Sequence, residues 1–275
     1  MKLNYRSLTF LLVTFLLVQL VGLYTGYALS NMFVVEQMPA EQSLIWFALS
    51  FLIATSLLVL GLKFFKGKKF FGILFIFIIF VGSEAVFSVF LPEFLAIVLA
   101  AALVFIRHVK PNPIIHNLAI GLAIAGIGAQ LGLMLPIQTV IILFVALSAY
   151  DIFAVYGTKH MVKMFRGLSE RGVLLSLAIP EKKKHMSKNL KKLKPGKGSG
   201  FIMLGTGDLA FPLILAVSAL SYGILSSLYV VIGSLFGVIT VYYLLNKNRE
   251  PMPALPPIAF FSVLGFLISL VLLFY

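Results

Sequence analysis

The sequence predicts an all-α polytopic membrane protein with nine transmembrane helices, its N-terminus cytoplasmic and its C-terminus outside. Three observations carry that prediction. Hydrophobic residues make up 61% of the 275 positions, 11% are charged and mean hydropathy is +1.07, far from any water-soluble domain of this length. Apolar runs of about 16 to 22 residues, long enough to cross a hydrocarbon core of about 30 Å with some tilt, recur along the chain. When the chain is threaded through a bilayer from an inside N-terminus, all 22 Lys and Arg residues land on one side.

The runs lie near 8–29, 44–62, 70–90, 92–106, 114–135, 137–156, 201–220, 226–245 and 257–274. The first follows Lys2 and Arg6 and resembles a signal peptide, but it is too long for an h-region and reads as a retained helix. Lys63, Lys66, Lys68 and Lys69 separate the second run from the third. The fourth is short and opens on Pro92 and Glu93; Arg107 and Lys110 close it. Pro136, in "LGLMLPIQ", divides the fifth from the sixth, and Lys247 and Arg249 lie between the eighth and ninth. The opposite side receives Glu36, Glu41 and Glu93, with Glu84 near it, and no basic residue. The chain therefore divides into helices one to six over 1–157, a basic cytoplasmic loop over 158–200 and helices seven to nine over 201–275, all in a single membrane domain, 1–275.

Twelve of the basic residues, from Lys159 to Lys197, sit in that loop and dominate the net charge of +13. Its "EKKKHMSKNLKKLKPGKGSG" suits a solvated segment facing anionic headgroups. No aromatic residue interleaves these lysines, which argues against nucleic acid as a partner. "GVLLSLAIP", 172–180, is apolar but too short to span, so it reads as a strand or an interfacial segment. The chain has no cysteine, and His108, His116, His160 and His185 lack helical ligand spacing, so no metal site or cofactor is expected.

Only two aspartates occur, Asp151 and Asp208, and both fall inside predicted spans. A lone carboxylate at membrane depth is costly unless paired or neutralised. Entering from outside near Ile137, the sixth helix puts Asp151 about 21 Å down, about 9 Å from the inner face of a core of about 30 Å. The seventh, entering from inside at Phe201, puts Asp208 about 10 Å from that face. Two acids at one depth on consecutive antiparallel helices can face each other and share a proton, so that one acts as general base on water while the other protonates a carbonyl. Gly205 and Gly207 allow close approach of a substrate backbone, and Pro212, one turn on, loosens the helix.

"AYD" with Tyr150 and Asp151, "GTGD" from Gly205 through Thr206 and Gly207 to Asp208, and "PAL" at Pro253, Ala254 and Leu255 resemble the three signatures of the presenilin and signal peptide peptidase family of intramembrane aspartyl proteases. Their order and spacing, and the hydrophilic loop between the two aspartate helices, extend the resemblance over nearly the whole chain. It implies that Asp151 and Asp208 are the catalytic pair and that Pro253, Ala254 and Leu255 shape the site and admit substrate. It further implies transmembrane helical substrates within a lipid bilayer and a multi-pass protein of a prokaryotic, archaeal, cell membrane. The chain lacks the large acidic loop of eukaryotic presenilins, so neither internal cleavage nor obligatory subunits are expected, and a homo-oligomer is left open.

The alternative reading is a proton- or cation-coupled transporter or channel using the same two aspartates. It gives the "PAL" stretch no role, and no inverted repeat is evident. Prepilin peptidases also carry G-x-G-D, but not the "PAL" stretch. Glu84 is expected near the outer surface, and His116 and Gln130 as helix-packing or interfacial residues. Gly121, Ala125 and Ala129, Gly128 and Gly132, and Gly233 and Gly237 have small-xxx-small spacing suited to close helix packing.

Overall fold

In a computed structural model, residues 5–33, 37–64, 68–157, 167–169, 172–182, 185–186, 188–190, 200–248 and 252–274 are described. The helices are α1 (Tyr5–Met32), α2 (Ala40–Phe64), α3 (Lys68–Phe90), α4 (Glu93–Val109), α5 (Pro113–Met134), α6 (Ile137–Ile152), α7 (Thr206–Ser218), α8 (Ile224–Asn248) and α9 (Leu255–Phe274). Seven are long and apolar enough to cross a membrane, while α4 with 17 residues and α7 with 13 are shorter. Most of the basic stretch 158–200 lies outside the described residues.

The helix boundaries follow from local chemistry. Asn112 caps α5, its side chain accepting the Ile115 N–H at 2.9 Å, and Pro113 occupies the first helical position, where no N–H is needed. Pro136 sets the start of α6 as the sequence predicts. α6 ends by widening into a π-helical turn, Phe153–Gly157, and α7 by tightening into a 3₁₀ turn, Ala219–Tyr222.

One departure from an all-α chain matters for the site. Residues 201–205 are not the first turn of the seventh helix but a strand, β2 (Phe201–Gly205), antiparallel to β1 (Ser176–Pro180), with Leu177 opposite Leu204 and Ile179 opposite Ile202. The depth reckoned for Asp208 from a helical rise beginning at Phe201 therefore does not hold, because those five residues are extended. "FIMLG" is apolar and β-compatible, and the hydropathy window that reads it as helix cannot separate the two.

α5 is the hub of the bundle and packs against α1, α3, α4, α7 and β1. Its small residues make this possible. A Cβ on Gly126 would collide with the Gly82 carbonyl of α3, one on Gly121 would press on Val18 of α1, and one on Gly128 on Leu213 of α7. Ala125 and Ala129 are fully buried, and Gly233 and Gly237 of α8 face the α9 backbone at Phe261 and Ile258. The small-residue rows are thus taken up by packing within one chain. Gly126→Ala forces the α3 and α5 backbones apart and should destabilise the protein by about 1–3 kcal/mol. Gly72→Ala, where an added Cβ meets nothing within 4 Å, should be near neutral; midpoints of thermal unfolding in detergent compare the two.

Candidate active site

Asp151 sits in the last turn of α6 and is buried, at 6% exposure. Its Oδ2 accepts the Leu255 N–H at 3.2 Å, and the Ala254 amide is directed at the same carboxylate. The surrounding sequence explains why these two amides are available. A helix N-terminus leaves four N–H groups without helical partners, and here Pro253, Pro256 and Pro257 have none to leave. The donors remaining at the start of α9 are those of Ala254 and Leu255, and both face Asp151. The positive end of the α9 dipole adds to the attraction.

Asp208 is reached by a different route to the same kind of environment. β2 passes into α7 without a loop, so Asp208 is the third residue of α7, and its Oδ2 accepts the N–H of Gly205 at 3.2 Å. This is the return half of a capping box. A Cβ on Gly205 would lie 3.1 Å from that oxygen, so any larger residue would press on the carboxylate it holds. Pro212 removes the N–H that would bond the Asp208 carbonyl, and Gln19 of α1 steadies the weakened turn by donating Nε2–H to the Leu209 carbonyl at 2.9 Å. The Phe144 and Phe211 rings, centroids 5.9 Å apart, pack α6 on α7, and the two carboxylates lie within Coulombic reach of each other. Asp208 is half-buried where Asp151 is buried.

The sheet leads into this site. Ala178 donates its N–H to Asn117 Oδ1 at 2.8 Å and accepts Asn117 Nδ2–H at 3.0 Å, so the outer edge of β1 faces α5. Because backbone groups alternate in direction along a strand, Leu177 and Ile179 then face β2, and the outward groups of β2 belong to Phe201, Met203 and Gly205. The Glu181 N–H bonded to the Gly200 carbonyl at 2.9 Å, and the Thr206 N–H to that of Leu175 at 3.2 Å, keep the same alternation at both ends. The outward N–H of Gly205 is the one given to Asp208. The outer edge of β2 therefore ends at the carboxylate, and no described residue pairs with the outward groups of Met203.

The chain matches the sequence model of the family described as signal-peptide peptidase, presenilin aspartyl protease over residues 10–274. It belongs to that family. Direct comparison with curated proteins gave no match. The fold is similar to that of a presenilin family intramembrane aspartate protease solved in two space groups. The C222 structure has a TM-score of 0.67 at 22% identity, covering 98% of this chain and 99% of the other. The P2 structure has a TM-score of 0.68 at 24% identity, covering 95% and 96%. The protein is thus an intramembrane aspartic protease with the presenilin fold.

The remaining predicted site residues of this protease are dispersed around the pair. Tyr150 is 47% exposed. Thr206 and Gly207 line a cavity of about 280 Å³ between α3, α5 and α7, with Phe75, Ile124 and Leu175 among its walls. His116 is buried against β1, whereas Gln130 is exposed. Gln19 and Asn117 were not singled out from the sequence, where the only signal for either is a polar amide within an apolar helix. Leu255→Pro keeps a residue favoured at a helix start but deletes the N–H given to Asp151. It should lower kcat about tenfold more than Leu255→Ala, which keeps the amide, as measured on a single-span substrate at equal amounts of folded enzyme.

Proposed function

We propose that Asp151 and Asp208 are the catalytic pair, and that the protein hydrolyses peptide bonds within transmembrane segments of membrane proteins. The observation that carries this reading is that the two carboxylates, within Coulombic reach of each other, each accept a backbone amide at a helix start, that of α7 or of α9. In the reaction one carboxylate takes a proton from water as its oxygen attacks the scissile carbonyl carbon, and the other, protonated, gives its proton to the carbonyl oxygen. The tetrahedral diol then collapses as the carbon–nitrogen bond breaks. The amine leaves with a proton from one acid, and a diol hydroxyl returns one to the other. The backbone amides on each carboxylate hold it in place while protons move. Neither the family match nor the fold supports the transporter alternative.

A substrate helix hides its carbonyls in its own hydrogen bonds, so it must unwind, and its freed groups need partners at membrane depth. The outer edge of β2 offers Met203, and its last outward amide already touches Asp208. Strand addition there delivers an extended peptide to the pair. β1 offers no such edge, because its outer side is filled by α5.

The orientation we propose keeps the N-terminus and the 158–200 loop in the cytoplasm and the C-terminus outside, with α4 and α7 as short spans among nine. The one-sided basic residues support it.

Asp151→Asn and Asp208→Asn should each lower cleavage by about a hundredfold or more while leaving a folded, extractable protein. A wild-type rate in either would remove the pair from the mechanism. The wild-type rate should pass through a maximum with pH, since acid protonates both carboxyl groups and removes the base, while alkali ionises both and removes the acid.

Because the chain has no cysteine, single cysteines report topology directly. Those replacing Lys68 and Lys188 should react only with cytoplasmic reagents, and one replacing Glu41 with impermeant reagents from outside. Labelling at Lys188 from outside would invert the orientation.

A further inference from the structure

The outer edge of β1 is closed by side chains, not by a strand. Its outward groups belong to Ser176, Ala178 and Pro180. The Ser176 carbonyl accepts from His116 Nε2 at 3.0 Å, and the Pro180 carbonyl from Ser7 Oγ at 3.4 Å. Between them the Asn117 carboxamide meets Ala178 through both of its ends, at 2.8 and 3.0 Å. A carboxamide carries the same donor and acceptor as a backbone peptide group. Asn117 is therefore a one-unit substitute for a third strand, 4% exposed and built into the hub helix α5. His116 is itself held, with Arg107 donating to its Nδ1 at 3.4 Å while the guanidinium lies 4.2 Å over the Phe75 ring.

Only Asn, or Asp when protonated, makes this double contact from the same short stem. Ala or Leu would leave the Ala178 N–H and C=O unmatched. An ionised Asp would accept from the N–H but set a negative charge against the carbonyl. Among the described residues, the unpaired outward backbone groups of the sheet are those of Met203 on β2, on the side that ends at Asp208.

We infer that Asn117 is a positioning residue for the protease: by closing the outer edge of β1 and anchoring the sheet to α5, it confines the incoming substrate strand to β2 and fixes which peptide bond reaches the aspartate pair. The inference rests on the reading that substrate adds as a strand to β2. Without Asn117 the sheet is free to shift and a second edge is exposed. A strand register moves in steps of two if the same groups are to face the ladder, so misplaced cleavage should fall two bonds to either side.

The experiment uses the full-length protein in liposomes with a single-span peptide substrate, reading kcat, KM and cleavage positions by mass spectrometry. Asn117→Ala should lower kcat/KM about tenfold, raise KM and add products cut two bonds from the wild-type position. Amide exchange over 176–180 should speed up in the same variant. Asn117→Asp, compared with wild type at each pH, should return toward a single cleavage position on acidification, because the neutral acid again offers a donor and an acceptor. Unchanged KM and cleavage position in Asn117→Ala would overturn the inference. Equal losses in both variants at every pH, with an unshifted position, would reduce Asn117 to a packing residue and overturn it too.

Met203→Pro separates the two levels of argument. It deletes an outward N–H that β1 does not use, and proline is tolerated at such an edge position. If it leaves cleavage intact, strand addition to β2 is wrong and the inference falls with it. If it blocks cleavage while both Asn117 variants behave as wild type, only the inference falls.

Discussion

A carboxylate inside an apolar body needs hydrogen-bond donors, and in a helical bundle nearly every backbone N–H is already committed to the carbonyl four residues back. Uncommitted amides exist only at helix N-termini. The site is organised by that scarcity. Asp151 arises near the end of its own helix, where no amides are free, and is met by the start of another, α9. Asp208 lies at the start of its own helix and turns back on the Gly205 amide. The prolines around Ala254 and Leu255 then have a clear role. They add no rival donors, which leaves the carboxylate to those two amides, and they fix the backbone that presents them.

The same constraint shapes what precedes α7. A seventh helix running from Phe201 would have placed Asp208 in its third turn, with every nearby amide bonded internally. Extending 201–205 instead puts the helix start at Thr206 and frees Gly205 to serve the aspartate. The strand so created needs a partner, and β1 supplies it. β1 in turn needs its far side closed, and α5 supplies Asn117, His116 and, across from it, α1 supplies Ser7. Among the described residues, each backbone edge is passed outward until a side chain on a packed helix ends the series, except at Met203 on the side that faces the site.

Much of this could be read from the residues in order. The hydropathy runs locate the helices within a few residues, and Pro92, Pro113 and Pro136 mark starts that the structure keeps. The two aspartates and the "PAL" stretch announce themselves because charge and proline clusters are rare in spans. What stayed hidden has a physical reason. Phe201 to Gly205 suits a buried strand and a buried helix equally well, and its partner is about 25 residues away across a hydrophilic stretch. Asn117 and Gln19 are single amides whose function lies in which carbonyl they meet, and that is a property of packing alone. The amide gift from Leu255 to Asp151 could have been anticipated by asking which N–H groups the prolines leave over.

An open strand edge in hydrocarbon is as costly as an unpaired carboxylate, since each lone N–H and C=O has lost its water. The outer side of β2 can therefore stay unpaired before substrate arrives only if water reaches it, and the Asp208 carboxylate lies at the end of that edge. Hydrolysis needs a water molecule at the same place. Solvent reaching Met203 would stand beside the carboxylates proposed to activate it. On the proposed strand addition, an incoming peptide would displace water from the strand while leaving the end of the edge, at the two carboxylates, as the wet position. On this reading, stabilising the empty site and supplying the nucleophile are two effects of one hydrated edge. A bundle of helices alone, with its amides bonded internally, would provide neither.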